Sequence, residues 1–513
     1  MTAAYITTPI YYVNDKPHIG HAYTTLACDT LARFWRLQGK NVHFLTGTDE
    51  HGQKVEKSAH AANTSPKEFV DTVSETFRQL ASKLAITNND FIRTTEPRHI
   101  KAAQALWTRL INNNAIYLGE YAGWYAVRDE AFYAESELIN GKAPTGADVE
   151  WVTEPSYFFK LSAYQNQLLD YYKNNPDFIA PESRRNEVIR FVEGGLFDLS
   201  VSRTSFTWGV PVPGDDKHIM YVWLDALTNY MTALGYPDEE NSDFKTFWHE
   251  AIHVVGKDIL RFHAVYWPAF LMAANLPLPK QIFAHGWWTN EGVKISKSLG
   301  NTIDPLELID TFGIDAVRYF LLREVSFGQD GDFSRQALIN RLNSDLANAY
   351  GNLVQRVLSF IFKQYAGILP TPTQITDADR ALLQLPDDYL PTISEIHINR
   401  YAENVWVLIG RANQYMDEHK PWSLKTTDPK RMATVLYVLA EYIRKIALLT
   451  QPLVPVASAK ILDQLAVLPE SRDFSHISAA LTPGIELPEP QGVFPRYQAV
   501  IPLSLKIDQC AGY

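Results

Sequence analysis

The feature that most restricts this chain's fold is a strand, a helix and a second strand packed into its first 45 residues. Apolar Tyr5 and Ile6, then Ile10 to Val13, read as a strand over Ala4 to Tyr12, ending in the turn Asn14-Asp15-Lys16-Pro17. From His18 to about Leu37 the apolar residues Leu26, Leu31 and Phe34 recur at helical spacings. Gly39-Lys40-Asn41 closes that helix before Val42 to Leu45 resumes as a strand. Strands joined by a crossover helix lie parallel and are covered on both faces, which commits this part of the chain to an α/β architecture.

Further helical segments follow at 66–84 and 96–112. From about Leu118 to Ser205 turn residues alternate with short aromatic strands, as in Gly123-Trp124-Tyr125 and Asn140-Gly141-Lys142, the texture of an inserted domain. The α/β pattern returns with the strand Ile252 to Val255 and the turn Gly256-Lys257-Asp258. A helix beginning nearby carries Phe262, Val265, Tyr266 and Ala269. From about Arg335 apolar periodicity in 338–363, 392–418 and 430–449, with proline-rich breaks at 369–372 and 451–455, predicts a helix bundle. The stretch from Tyr497 to Ile507 alternates weakly, as a returning strand or a connector would.

Composition narrows the class. At about 150 residues per domain, 513 residues make about three domains. With 46% hydrophobic and 20% charged residues the chain can build ordinary cores and is not a disordered polymer. Its 47 basic and 58 acidic residues leave a net charge of −11, which argues against a histone-like or polybasic protein. A local basic surface can still sit on an acidic chain. Two cysteines, Cys28 and Cys510, rule out a disulfide framework and an all-cysteine zinc knuckle, and fit a reducing compartment. No apolar run suffices to span a bilayer, the stretch Ala264 to Leu278 being broken by Pro268, Asn275 and Pro277. The N-terminus lacks the basic region of a cleaved signal. A soluble, cytoplasmic protein is expected.

Two short segments carry chemistry. Pro17-His18-Ile19-Gly20-His21 falls where the first strand hands over to the first helix. Imidazoles three residues apart share a helix face. A helix N-terminus already favours an anion through its unpaired N–H groups and dipole. Two imidazole donors there can hold nucleotide phosphates, and Gly20 lets a flat base approach the backbone. Two ordinary first-turn histidines making local hydrogen bonds would show the same spacing. The second segment, Lys294-Ile295-Ser296-Lys297-Ser298, is bracketed by Gly292 and Gly300. Such a loop can close over a polyphosphate and stabilise charge that develops during transfer. A solvated basic loop is the alternative.

In this order, and across an insertion, the two segments closely resemble the signatures of class I aminoacyl-tRNA synthetases. Within that class the chain is similar to the methionyl-tRNA synthetase family. The segments that carry the likeness are Tyr5-Ile-Thr-Thr-Pro-Ile-Tyr-Tyr-Val-Asn14, Phe44-Leu-Thr-Gly-Thr-Asp-Glu-His-Gly52, Tyr221-Val-Trp-Leu-Asp-Ala-Leu227, and Gly256-Lys-Asp258 with His263. It extends from Tyr5 to beyond Trp422.

The resemblance implies a Rossmann-like parallel-sheet catalytic domain in two halves, 1–117 and 206–334, split by a connective, acceptor-end domain at 118–205. An all-α anticodon-binding bundle at 335–490 and a tail at 491–513 would follow. It implies activation of methionine by ATP to methionyl-adenylate, with release of pyrophosphate, and transfer to the 3′-terminal ribose of tRNA(Met), for translation including initiation. His18, Gly20, His21, Gly256, Asp258 and Lys297 would contact ATP, which arrives with Mg²⁺, and His18, His21, Lys294 and Lys297 would be catalytic. Methionine would meet Ile10, Tyr12, Trp223, Leu227, Tyr230, Ile259, His263 and Trp267, with Asp49 anchoring its ammonium and Arg203 orienting Asp49. A thioether packs well against aromatic edges, and Tyr12 and His263 would donate weak hydrogen bonds towards sulfur. Without the resemblance these aromatic residues read as plain core and His263 as a satisfied interior histidine.

Asn352 and Arg356 would read the anticodon, being four apart on one helix face, with Trp422 stacking a splayed base. A tryptophan lid on the bundle is the alternative. Partners would be tRNA(Met), including the initiator, ATP and L-methionine, with no membrane; the absence of a further C-terminal domain suggests a monomer. Two departures from the family pattern stand out. Ile295 replaces the usual methionine, apolar for apolar. The zinc knuckle of many relatives would place ligands at Ala126, Asp129, Ala143 and Gly146, and none of these supplies a thiolate or imidazole, so a zinc-free subtype is expected with no structural metal. Asp129 reads as an exposed turn residue, and the insertion as held by Trp124, Tyr125, Phe132, Tyr133 and Trp151. Two competitors remain. A simpler nucleotidyltransferase would not need the insertion or the bundle. A decayed tRNA-binding paralogue would show erosion of His18, His21 or Lys297, and all three are present. Class I synthetases for isoleucine, valine and leucine need a much longer insertion.

Overall fold

The computed structural model describes residues 2–13, 16–129, 131–133, 135–295, 301–386 and 397–497; Asn14, Asp15, Lys297 and the tail beyond Tyr497 lie outside the described residues, as does the Phe132 side chain. The chain divides into two compact units. One holds Met1–Trp35, Lys40–Trp287 and Asp304–Leu306; the other holds Arg36–Gly39, Trp288–Ile303 and Glu307–Tyr513.

In the first unit, among the described residues, seven strands form one parallel sheet. Its order is Tyr11–Tyr12, Asn41–Asp49, Ala3–Thr7, Ala251–Gly256, Gln281–His285, Ile179–Ala180, with Asp90–Arg93 also paired to Asn41–Asp49. Helix Ile19–Leu37 is the crossover of the opening βαβ unit, as the periodicity predicts, but the strand expected over Ala4 to Tyr12 is broken into Ala3–Thr7 and Tyr11–Tyr12, each paired with Asn41–Asp49. The unit's second strand runs four residues past the apolar stretch, to Asp49. The polar extension is viable because its groups are paired: Thr46 Oγ1 with Thr8 Oγ1 at 2.7 Å, and Thr48 Oγ1 with Glu50 at 2.7 Å. Gly47 is dictated by proximity, since a Cβ there would stand 2.0 Å from the carbonyl oxygen of Ile92.

Strand Ile179–Ala180 lies within the stretch read as an insertion. Two residues between Phe178 and Pro181 carry too little pattern to be read as a strand. Its neighbours Leu168, Tyr172, Phe178, Val188 and Val192 share one core with Tyr5, Leu45 and Ile282 of the sheet.

Ala3–Thr7 is flanked on one side by Asn41–Asp49 and on the other by Ala251–Gly256, so the strand order reverses beside it. In open α/β sheets ligands bind outside the carboxyl ends of the strands at such a switch point. Asp49, Gly256 and His285 terminate three of these strands, and His18 follows the first.

A separate antiparallel sheet runs in the order Ala131–Tyr133, Ile116–Ala126, Glu150–Phe159, Leu199–Ser200. Trp124 faces Trp151 across it, ring centroids 5.3 Å apart and edge to face. Around the four knuckle positions, buried Ala126 and Ala143 form a small apolar cluster with Ala147, Tyr133 and Val149. Asp129 is not the exposed turn residue expected. Its side chain is 13% exposed and accepts hydrogen bonds from the hydroxyls of Tyr133 and Thr145, which tie the two ends of this loop together.

The second unit is mainly helical: Ile314–Arg323, Arg335–Arg341, Asn352–Tyr365, Asp377–Leu383, Ile398–His419, Pro421–Thr427, Pro429–Thr450 and Pro455–Gln464. The helix expected over 338–363 is interrupted by a ten-residue π-helical stretch, Leu342–Gly351. Asn343, Ser344, Asp345 and Asn348 are poor helix formers and weaken the regular ladder there. Buried ion pairs lock the bundle: Arg431 forks onto Asp379 at 2.6 and 2.7 Å, and Arg444 onto Glu441 at 2.6 and 2.9 Å.

Candidate active site

His18 and His21 bracket the first turn of helix Ile19–Leu37, their rings 3.9 Å apart. The Nδ1 of His18 accepts the backbone N–H of Gly20 at 3.1 Å, and the Nδ1 of His21 accepts the backbone N–H of His18 at 3.0 Å. A ring nitrogen that accepts cannot carry the hydrogen, so both neutral imidazoles are held with hydrogen on Nε2. Two N–H donors are thereby built at a helix N-terminus, where an anion is already favoured. A Cβ at Gly20 would meet the His18 ring at 2.9 Å, so a larger residue there would push that imidazole from its place. Tyr11 stands edge-on to His21 at 4.8 Å and donates to its carbonyl oxygen, and Phe77, stacked on Tyr11 at 5.6 Å, meets the same imidazole edge to face at 5.2 Å.

The apolar side of the site lies in the main core. Leu227, Tyr230, His263 and Trp267 are each no more than 1% exposed. Ile10, Trp223 and Ile259 pack at that core's edge, while Tyr12 belongs to a neighbouring cluster with Val13, Val55 and Phe77. Trp223 stacks face to face on Phe262 at 3.6 Å, a partner the sequence reading did not name. His263 sits in the π-helical turn Phe262–Tyr266, and such turns recur at functional sites. Its Nδ1–H can only donate to the carbonyl of Ile259, at 2.9 Å, so its Nε2 accepts the Tyr230 hydroxyl at 2.8 Å. This corrects the expectation that His263 donates towards sulfur, because both ring nitrogens are already committed. Burial pushes the His263 imidazole down to about 4, against the opposing pull of the Ile259 carbonyl, so it is neutral at ordinary pH.

Asp49 ends its strand 6% exposed. Arg203 is buried, donating to Ser200 Oγ and the Ser202 carbonyl at 2.6 Å, facing Glu154 at 3.6 Å and lying over the Tyr221 ring. At the turn after Ala251–Gly256, a Cβ on Gly256 would lie 2.5 Å from Asp258 Oδ1. The same oxygen accepts the indole N–H of Trp287 at 3.0 Å, and the Lys257 ammonium sits 4.3 Å from that ring's centroid. Trp287 was missed because one tryptophan of the pair Trp287-Trp288 cannot be assigned to a carboxylate by spacing alone.

A second omission is a fully internal trio. Asp225 accepts from His51 Nδ1 at 2.6 Å and from His99 Nε2 at 2.7 Å, and the three residues are 0, 4 and 0% exposed. Burial alone would push the Asp225 carboxyl up, but the two imidazoles bring it down to about 2. Asp225 and His51 lie in the quoted motifs, yet nothing in the spacing ties them to His99.

In the second unit, Val293–Lys294 pairs with Trp288–Asn290 through a two-residue hairpin whose Glu291 and Gly292 both have positive φ, 50° and 75°. Lys294 is exposed. Asn301 donates to the Lys294 carbonyl at 3.1 Å and its own carbonyl accepts from Asn290 at 2.9 Å, so the two ends of the lysine loop are fastened together. In the bundle, Asn352 opens helix Asn352–Tyr365 and Arg356 follows one turn later. The Arg356 guanidinium lies 5.4 Å from the ring centroid of Trp422, which is 44% exposed, and 3.6 Å from Asp417. Arg356 and Trp422 are thus brought together.

Comparison with known proteins points to one family. A family model described as tRNA synthetases class I (M) matches residues 4–149 and 136–358, and one described as the anticodon binding domain of methionyl tRNA ligase matches 370–499. The chain is 58% identical over 506 residues to a methionine–tRNA ligase of Rickettsia bellii, covering 96% of this chain and 99% of that one. It is 53% identical over 505 residues to the methionine–tRNA ligase of Brucella suis, with 96% and 98% covered. Among solved structures it resembles Mycobacterium tuberculosis methionyl-tRNA synthetase in complex with methionyl-adenylate, at a TM-score of 0.94 and 49% identity, covering 97% of this chain and all of that one.

Proposed function

The chain belongs to the methionyl-tRNA synthetases, and from that premise we propose how its own residues divide the work. It is a methionine–tRNA ligase. The methionine carboxylate attacks the α-phosphorus of ATP, the bond to pyrophosphate breaks, and methionyl-adenylate forms. The terminal ribose of tRNA(Met), initiator included, then attacks the activated carbonyl at its 2′-hydroxyl, and AMP leaves.

The observation that carries the residue assignment is the paired tautomer of His18 and His21. Both Nδ1 atoms accept backbone N–H groups, so each neutral ring carries its hydrogen on Nε2, as a donor to phosphate must. Donors fixed in advance need no reorganisation as charge builds, and positioning of this kind supplies most of the rate in a transfer that needs little covalent help. ATP enters as its Mg²⁺ complex. Gly20 and Gly256 give close backbone approach, and Asp258 accepts from the ribose hydroxyls. Lys294 and Lys297 act on the departing phosphates.

Asp49 receives the substrate ammonium, a pairing that gains strength where water is excluded. The thioether lies among Ile10, Tyr12, Trp223, Leu227, Tyr230, Ile259, His263 and Trp267. Asn352, Arg356 and Trp422 read the anticodon, Trp422 by stacking and Arg356 by charge and hydrogen bonding. The halves 1–117 and 206–334 carry activation, 118–205 guides the acceptor end and 335–490 binds the anticodon. Among the described residues no helix is long and apolar enough to cross a membrane; the enzyme works in the cytoplasm as a monomer. Amino-acid-dependent ATP–pyrophosphate exchange across the twenty amino acids tests the reading. Exchange with methionine and not with the others is expected, and its absence with methionine contradicts the reading.

A further inference from the structure

Asp49 and Trp223 stand on different elements: the end of strand Asn41–Asp49 and the start of helix Val222–Leu227. Two residues beyond Asp49 comes His51, and two beyond Trp223 comes Asp225. These two join through the 2.6 Å bond from His51 Nδ1, while His99, on helix Pro97–Asn112, holds the other carboxylate oxygen at 2.7 Å.

The turn after Asp49 is fastened residue by residue. Glu50 takes two bonds from Arg93, at 2.6 and 2.9 Å, and others from Thr48 and Thr95, while its backbone N–H donates to Thr94 Oγ1 at 2.9 Å. Trp208 donates its indole N–H to the Glu50 carbonyl at 2.6 Å, accepts from the Gly52 N–H at 3.0 Å, and stands edge-on to the His51 ring. His51 therefore transmits a fixed position from Asp225 to the segment that carries Asp49.

Desolvation offsets part of the attraction between a buried carboxylate and its two imidazoles. Short charge-assisted bonds do fix geometry tightly. We propose that His51, Asp225 and His99 are positioning residues for methionine: together they set the distance between the carboxylate that receives the ammonium and the aromatic wall that receives the side chain. The proposal rests on the reading of Asp49 and Trp223 as methionine contacts.

The test uses the full chain in ATP–pyrophosphate exchange, with active sites counted by the burst of adenylate formation. Asp225→Asn keeps the shape and removes one acceptor; His51→Gln, nearer the surface, serves if the first variant does not fold. Each is expected to raise the methionine KM about tenfold and leave the ATP KM within about twofold, since small misplacements at a reacting centre cost factors of up to about 100. Asp49→Asn is the control, expected to raise the methionine KM further. If it does so while Asp225→Asn and His51→Gln leave the methionine KM within about twofold, positioning by the trio is overturned and the methionine reading stands. If Asp49→Asn also leaves that KM unchanged, the underlying reading falls and the proposal with it. A loss confined to the count of active sites, with both KM values unchanged, marks the trio as structural only and overturns the proposal.

Discussion

The core residues proposed to receive methionine and the base of the lysine loop are built on opposite plans. Tyr230, His263 and Trp267 are sealed in the core, each ring nitrogen of His263 already assigned, and Trp223 is clamped on Phe262. Lys294 is exposed, and what is fastened is the base of its loop, through Asn290 and Asn301. On the proposed assignment, the difference follows from what each would recognise. A thioether offers dispersion and little else, so discrimination needs a dry, preset cavity. Phosphate charge is read at longer range by cations whose stems remain adjustable.

If the division of labour is real, damage to the loop should slow chemistry and spare recognition. Lys297→Ala is expected to slow single-turnover adenylate formation by about 100-fold or more, the scale of losing one charge-stabilising group, with methionine affinity within about twofold. An unchanged rate would remove Lys297 from the catalytic set. The buried side answers instead to pH. The His263 imidazole is held near 4 in the fold against about 6.5 in the unfolded chain, so between these values the unfolded state binds the extra proton and stability falls as pH falls. The loss should reach up to about 3 kcal/mol near pH 4, and the slope of urea midpoint against pH over this window should flatten in His263→Gln. An identical slope would mean that His263 does not hold a depressed value.

Two smaller tests probe the borders of the comparison. Trp422→Ala should lower the rate of tRNA charging by about tenfold, the scale of one lost base stack, and leave pyrophosphate exchange intact; loss of both would indicate a folding defect. Trp287→Phe keeps the ring under Lys257 but removes the N–H from Asp258. An ATP KM raised about threefold, one modest hydrogen bond, with the methionine KM unchanged, would place the indole in ribose orientation. No change in either would leave it outside the site.

How far the sequence could be read depended on the kind of signal. Apolar periodicity located the first βαβ unit and the bundle helices, because burial dictates residue type along a whole element. It failed at Thr46 to Asp49, where hydrogen-bonded threonines and a close-packed glycine form a buried strand without apolar residues, and at Ile179–Ala180, which is too short to show a period. Motif spacing singled out His18, Gly20, His21 and Asp258, whose proposed roles depend on a local turn. It could not find the His99–Asp225–His51 trio or Trp287, since these contacts join residues up to 174 positions apart and exist only once the elements pack. The direction of a hydrogen bond was also beyond spacing. The sequence suggested that His263 donates to sulfur, whereas the carbonyl of Ile259 and the hydroxyl of Tyr230 together make it an acceptor.

On the proposed assignment, selectivity resides in the buried pocket and rate in the lysine loop. This is tested by the ratio of pyrophosphate-exchange kcat/KM for methionine over norleucine, in which a methylene replaces the sulfur, in the wild-type chain and in Lys297→Ala. Both values are expected to fall together, with the ratio held within about twofold, since uniform loss of charge stabilisation acts alike on either substrate. A ratio that collapses towards one in Lys297→Ala would place discrimination in the loop and contradict the account.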